Sequence, residues 1–295
     1  MWEKIVAFFM SIIAFFVSLF GGGGGAEAKS YEYRNLSYGS HERQVLDLNI
    51  PKNNDGEIGL VLFIHGGAWI QGNKDGYKNG VKAAAETYGF AGAAINYRYI
   101  SESVHINDIL DDIDAALKCI KQKGEENGVK INKVLLTGDS AGGHLSMLYA
   151  YSRAESAAIR PAAVVSNSGP ADLTDENFYL NNAMGDEEFV SLLFSYASGK
   201  NFKYAERAGA KEALEKVSPL YYVNENTVPT VINHGMKDSI VPYSNAVALD
   251  AKMTQCGVTH VFNAYPNSDH DLGSDEANRK TADRLLIEYC NTYLN

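Results

Sequence analysis

Three features of the sequence predict an α/β fold built on a mostly parallel central sheet with helices on both faces. Short apolar runs, of the kind that strands covered on both faces require, alternate with segments of helical periodicity. Several of those runs end in polar, glycine-bearing stretches, Gly66-Gly67, Asp139-Ser140 and Ser168-Gly169, and a parallel sheet gathers the carboxyl ends of its strands along one edge. The 295 residues, 45% hydrophobic and 21% charged, suffice for one such domain with a large core.

Taken in order, the chain opens with Ile5 to Phe20, an apolar run broken by Ser11 and Ser18 and followed by glycines 21–25. As a helix it would extend about 24 Å, short of a bilayer core of about 30 Å. Ala26-Glu27-Ala28 then offers small residues at the two positions a signal peptidase reads. The expectation is an exported protein, secreted or associated with the cell envelope. Glu3 offsets Lys4 in the positive region, so an uncleaved membrane anchor is the alternative. Residues 1–28 are therefore set apart, and the folded domain is expected in residues 29–295.

Tyr31 to Tyr38 and Gln44 to Ile50 read as a hairpin, the second strand alternating cleanly. Leu60 to Ile64 is a continuous apolar strand leading into His65-Gly66-Gly67-Ala68-Trp69. A helix around Tyr77 to Tyr88 precedes the short strand Ala91 to Asn96. Next, Ile106, Leu110, Ile113, Leu117 and Ile120 form one helical stripe, while Asp108, Asp111, Asp112 and Asp114 are expected to face water or complement the helix dipole rather than hold a metal. The strand from Val134 enters Gly138-Asp139-Ser140-Ala141-Gly142, a helix spans His144 to Arg153, and Ala162 to Ser168 is another strand. Residues 171–228 break this rhythm with helix-like pieces, Glu187 to Ser198 and Tyr204 to Lys216, and read as an insertion that either caps the active edge or pads its periphery. The alternation resumes with the strand Pro229 to His234, the helix Ser244 to Gln255, the strand His260 to Tyr265 and the helix Glu276 to Leu294.

The chemistry resides in the loops. Strand, sharp turn and helix around Ser140 would push its hydroxyl out of the sheet edge, which makes it the candidate nucleophile. A serine needs an imidazole to take its proton and a carboxylate to support that imidazole. His270, in the polar loop after the last strand, and Asp238, in the loop after the preceding strand, supply both in the order Ser140, Asp238, His270. Asp172, Asp269 and Asp271 are rival acids better read as loop carboxylates. His65, His144 and His234 are read as packing or loop-fixing, and His41, His105 and His260 have no partner motif. Backbone N–H groups of Gly66, Gly67 and Ala141 are placed to receive an oxyanion. Trp69 and Asp139 are candidate substrate contacts, whereas Arg98 is read as a loop brace.

Other function classes lose ground. A net charge of −10 opposes a nucleic-acid partner. Cys119, Cys256 and Cys290 are far apart without metal-ligand spacing, and no nucleotide-binding glycine motif occurs. No cofactor or metal is expected, and any membrane association would run through the amino-terminal segment.

His65-Gly66-Gly67-Ala68-Trp69 with Gly72 and Lys74, Asn96-Tyr97-Arg98, Gly138-Asp139-Ser140-Ala141-Gly142-Gly143, Asp238 and His270 together resemble the α/β-hydrolase esterases related to hormone-sensitive lipase. Within that group the chain is most similar to bacterial feruloyl and acetyl-xylan esterase-like proteins. The resemblance covers everything after about residue 30 and implies a carboxylic ester hydrolase with a Ser-His-Asp triad, needing no metal or organic cofactor. Ala68 departs from relatives that carry a third glycine there, and the insertion is short, which leaves substrate size open. A serine peptidase of the same fold and a non-catalytic binding protein on a hydrolase scaffold are the alternatives.

Overall fold

The computed structural model describes residues 29–52, 56–180 and 186–295. The expected leader therefore lies outside the described residues. Among the described residues, no helix is long and apolar enough to cross a membrane.

Eight strands form one sheet: β1 (Ser30–Ser37), β2 (Val45–Pro51), β3 (Gly56–Ile64), β4 (Ala91–Ile95), β5 (Val129–Asp139), β6 (Arg160–Asn167), β7 (Thr230–Gly235) and β8 (His260–Tyr265). Their spatial order is β1-β2-β4-β3-β5-β6-β7-β8. β2 runs antiparallel to both β1 and β4, and all other neighbours are parallel. The chain leaves β3 toward β4 on one side and returns to β5 on the other, so the strand order reverses there. Such a reversal opens a crevice beyond the carboxyl ends of the strands. The loops after β3 and β5 carry Gly66-Gly67 and Ser140 into that crevice.

The helices are α1 (Lys78–Glu86), α2 (Ile106–Glu126), α3 (Ala141–Ser152), α4 (Asn177–Leu180), α5 (Glu187–Ser198), α6 (Lys211–Glu215), α7 (Tyr243–Gln255) and α8 (Glu276–Tyr293). Alternation along β3 divides them between two faces. Leu60, Leu62 and Ile64 point to the core shared with α2, α3 and α7, while Val61 and Phe63 meet Val81 and Ala84 of α1 and Leu285, Tyr289 and Cys290 of α8. Ile106, Leu110, Ile113, Leu117 and Ile120 are all buried to 1% or less, as their spacing requires.

Three local expectations need correction. The strand read from Val134 begins at Val129, because Ile58 and Ile131 are also paired and buried ahead of the strongly apolar segment. The helix expected over Tyr204 to Lys216 is a 3-10 run, Tyr204–Ala210, followed by the short α6; Gly209, a poor helix former, lies next to the junction. Asp112 does not face water. It is 1% exposed and accepts hydrogen bonds from the Arg98 guanidinium at 2.7 Å, the Arg98 backbone N–H at 2.9 Å and Gln44 at 2.8 Å. The brace expected of Arg98 is thus directed at α2.

Between β6 and β7, the described part of the insertion contains only helical segments and loops. Phe178 and Phe194 meet edge to face, and the carbonyl of Val217 accepts from Nε2 of His144 at 2.7 Å. The insertion is thereby fastened to α3.

Candidate active site

β5 ends at Asp139, α3 starts at Ala141, and Ser140 between them holds φ 53° and ψ −119°. A non-glycine residue pays roughly 1–3 kcal/mol for such backbone and keeps it only where the surroundings impose it. They do so here through two backbone bonds, Ser140 N–H to the Asn167 carbonyl at 2.7 Å and His144 N–H to the Ser140 carbonyl at 3.0 Å. The flanking glycines answer a packing constraint: a Cβ on Gly142 would overlap the carbonyl oxygen of Ile64, as would one on Gly138. β3 can approach the turn only because those side chains are missing.

Ser140, Asp139, Asn167, Ser168, His270, Asp271 and Leu272 line one small cavity. Leu272 is the single apolar side chain among them. Nδ1 of His270 lies 2.8 Å from Oδ2 of Asp238, while its buried Nε2 has no hydrogen-bond partner. The imidazole thus has one nitrogen committed to a carboxylate and the other uncommitted at the cavity that holds the Ser140 side chain. Ser168, itself at φ 49°, donates from Oγ to the His270 carbonyl at 3.0 Å and fixes this loop.

Asp238 is engaged from every side. Its Oδ1 accepts from the backbone N–H groups of Ile240 at 2.9 Å and Val241 at 2.8 Å, and its Oδ2 lies 3.2 Å from Nε2 of His234. Burial would raise its pKa, but the charge of His270 and the hydrogen bonds from both imidazoles hold it well below the usual carboxylate range. Burial likewise opposes protonation of His270; the Asp238 carboxylate, with Asp269 and Asp139 beyond it, outweighs that and raises its pKa above the ordinary imidazole value.

The loop after β3 contains three successive residues with positive φ: Gly67 at 110°, Ala68 at 49° and Trp69 at 61°. That conformation explains why a glycine would be at ease at position 68. Gly66 abuts the nucleophile so closely that a Cβ there would stand 2.7 Å from the Asp139 carbonyl and 3.4 Å from Cβ of Ser140. Ala141 opens α3, and its N–H is one of those for which a helix has no internal acceptor. Gly66 and Ala141 therefore reach Ser140 from two loops, and Gly67 follows Gly66 in the chain.

A set of bracing contacts holds the β3 loop. Arg43, in the turn between β1 and β2, donates to the carbonyls of Tyr97 at 2.8 Å and Gly72 at 3.1 Å, and its guanidinium lies 3.6 Å over the Tyr99 ring. Nζ of Lys74, 3% exposed, pairs with Asp47 at 2.9 Å and donates to Asn35 at 2.8 Å. The His65 ring stacks on Tyr97 at 4.2 Å, and burial drives its pKa down to about 3, so it is neutral in the working range.

Trp69 is 3% exposed and does not line the cavity; its indole N–H donates to Nδ1 of His144 at 3.3 Å. Asp139 does line the cavity, but its carboxylate accepts from Tyr77 at 2.5 Å and Asn167 at 3.0 Å. No described residue of the insertion lines the cavity. Of the rival acids, Asp269 accepts from Ser239 and the His270 N–H, Asp271 from the Gly273 N–H, and Asp172 caps its own turn through Thr174. Among the remaining histidines, His41 accepts from the Arg43 N–H, His105 bonds the Tyr196 carbonyl, and His260 meets Asp250 at 3.0 Å. Sequence reasoning did not single out the second imidazole on Asp238, whose signal is the four-residue spacing of His234 and Asp238. The support Ser168 gives the His270 loop was also missed, although its place at a glycine-bearing strand end put it on the same edge. Among the described residues, no cluster of His, Cys, Asp and Glu could hold a metal, and all three cysteines are free thiols.

Comparison with known proteins places the chain in a family. The BD-FAE family model matches residues 46–253. The chain is 29% identical to the probable carboxylic ester hydrolase LipM of Mycobacterium tuberculosis over 224 residues, 72% of this chain and 49% of that protein. It is 25% identical over 271 residues to the probable isoprenylcysteine alpha-carbonyl methylesterase ICMEL1 of Oryza sativa, 86% of this chain and 61% of that protein. The chain thus spans only about half to three-fifths of these curated relatives. Among solved structures, a truncated carbohydrate esterase from gut microbiota superposes with a TM-score of 0.71 at 22% identity, covering 92% of this chain and 100% of that one. The fold is that of the α/β-hydrolases.

Proposed function

Because the chain belongs to the BD-FAE family, we propose that it is a carboxylic ester hydrolase working through an acyl-enzyme on Ser140, with His270 as general base and Asp238 as its carboxylate partner. One observation carries this reading: an imidazole bonded to a buried carboxylate through Nδ1 presents an unpartnered Nε2 at the cavity that contains a strained, turn-held serine. In the first half-reaction the Ser140 oxygen bonds to the ester carbonyl carbon while its proton passes to Nε2 of His270. The oxyanion is received by N–H groups of Gly66, Gly67 and Ala141, each worth about 3 to 4 kcal/mol where such a donor is removed. The C–O bond to the alcohol then breaks, and the alcohol departs with the proton from His270. Water, deprotonated by the same imidazole, releases the acid and restores Ser140.

The small size of the cavity at Ser140 favours short acyl groups such as acetyl over long alkyl chains. Names of relatives point to esters as a class, and the carbohydrate esterase among structural neighbours makes acylated polysaccharide a reasonable target. Export is part of the same proposal, supported by the apolar run from Ile5 and the Ala26-Glu27-Ala28 sequence. Ser140→Ala is expected to abolish both turnover of p-nitrophenyl acetate and labelling by a fluorophosphonate while leaving the fold intact. Retained turnover refutes the mechanism. Failure to release acetate from acetylated xylan, with p-nitrophenyl acetate still hydrolysed, refutes the polysaccharide assignment alone.

A further inference from the structure

Asparagine occupies the same register row on three successive strands. Asp139 of β5 pairs with Asn167 of β6, Asn167 with Asn233 of β7, and Asn233 with Asn263 of β8. Their side chains form a continuous series of hydrogen bonds. Asn278 of α8 donates to Oδ1 of Asn263 at 2.9 Å, Asn263 to Asn233 at 2.9 Å, Asn233 to Asn167 at 2.9 Å, and Asn167 to Oδ1 of Asp139 at 3.0 Å. Asn233 is wholly buried, and Asn167 and Asn263 are 6% and 7% exposed.

The direction of this row is set at both ends. An ionised carboxylate only accepts, so Asn167 must turn its NH2 toward Asp139 and its oxygen toward Asn233, and each amide in turn orients the next. At the far end, Asn278 gives its other proton to the Ala264 carbonyl at 2.9 Å, and Asn263 gives its second to the Asn278 carbonyl at 3.0 Å. All the amide dipoles consequently point their N–H ends at one carboxylate, and hydrogen bonds arranged in series polarise one another. Burying such a row costs free energy unless every member is satisfied, and each is.

We propose that this row, with Tyr77, holds Asp139 as an anion beside the reactive pair, and that Asp139 is a positioning residue supporting the imidazolium of His270 from the cavity side. The proposal rests on His270 being the general base of the hydrolase. Asp238 meets His270 through Nδ1, whereas Asp139 shares the cavity at which Nε2 is uncommitted; the two carboxylates therefore act on the ring from different quarters. Burial raises the Asp139 pKa above the ordinary carboxylate value, and the bonds from Tyr77 and Asn167 and the charge of His270 limit that rise. The other groups facing the pair are accounted for. His270 also feels Asp269, Asp238 has His234 on its far side, Asp271 lines the same cavity, and Tyr77 is influenced by Tyr97.

The test is a titration of the His270 ring by NMR with 15N-labelled imidazoles in the full chain, alongside the pH dependence of kcat/KM on p-nitrophenyl acetate. Asp139→Asn keeps the shape and removes the charge; it should lower the His270 pKa by about half a unit or more and move the acidic limb of the rate profile down with it. Asn233→Leu, two strands away, should move both in the same direction by a few tenths of a unit, and Asn263→Leu, one strand further, is a second break should the first variant fail to fold. A loss of stability or rate with the titration unmoved in Asp139→Asn overturns the proposal. A shift in Asp139→Asn that neither asparagine variant shares overturns the role of the row. The titration is read without turnover, so failure of the hydrolase reading, seen as activity surviving Ser140→Ala, is distinguishable from failure of this one.

Discussion

Asp238→Asn tests the reaction scheme at the point where the structure constrains it most. Oδ1 of Asp238 accepts from the N–H groups of Ile240 and Val241, and Oδ2 faces His270 at 2.8 Å and His234 at 3.2 Å. In the variant the amide oxygen stays on the two backbone donors, because turning NH2 toward them would set donor against donor and leave buried groups unsatisfied. The NH2 group then points at both imidazoles. His270 must accept at Nδ1 and carry its proton on Nε2, the nitrogen that has to take the proton of Ser140. The wrong tautomer in a comparable triad lowers kcat by about 10⁴-fold, equivalent to about 5.5 kcal/mol of barrier. The assay is p-nitrophenyl acetate hydrolysis at neutral pH with the variant's thermal melt in parallel, since an isosteric change at a wholly buried site should leave the fold in place. A loss of kcat below tenfold in a folded variant would refute the roles given to Asp238 and His270.

Two further outcomes concern stability. Asp112→Ala strips a buried acceptor from Arg98, Gln44 and one backbone N–H, and because Arg98 is 26% exposed the expected cost sits at the lower end for a broken buried pair, about 3 kcal/mol by urea denaturation; a change under 1 kcal/mol would show that water replaces those bonds. Burial lowers the pKa of His65 to about 3 and of His144 to about 4, so below about pH 6.5 the unfolded chain takes up protons at these rings that the folded one refuses. Stability should fall as pH drops from 6.5 toward 4, by on the order of 1 kcal/mol per unit per ring. His144→Gln, whose amide can still accept from Trp69 and donate to Val217, should flatten that slope in thermal melts between pH 7 and 4.5, and an unchanged slope would contradict the assignment.

The fold was legible because strands covered on both faces declare themselves as short apolar runs, and helices as apolar stripes; β8 and α5 begin and end where periodicity places them. The pairing of Asp238 with His270 and the strained turn at Ser140 were legible because each residue sits where a strand gives way to a loop. Paired polar residues were not. Asp112 reads like any helix-face aspartate until Arg98, fourteen residues earlier, is brought against it. Asn167, Asn233 and Asn263 look like three unrelated strand residues, and only the parallel register aligns them. Trp69 illustrates the reverse: its position beside the glycines suggested a substrate contact, yet the loop with positive φ at Ala68 and Trp69 places the indole in the core.

The grip of Arg43 on the carbonyls of Tyr97 and Gly72 reaches beyond local packing. It ties the outermost hairpin of the sheet to the segment that would cradle the developing negative charge. Remodelling that turn should therefore alter how fast the catalyst runs without changing a residue that lines the cavity. A designer seeking to tune turnover has in it a lever that does not itself line the pocket.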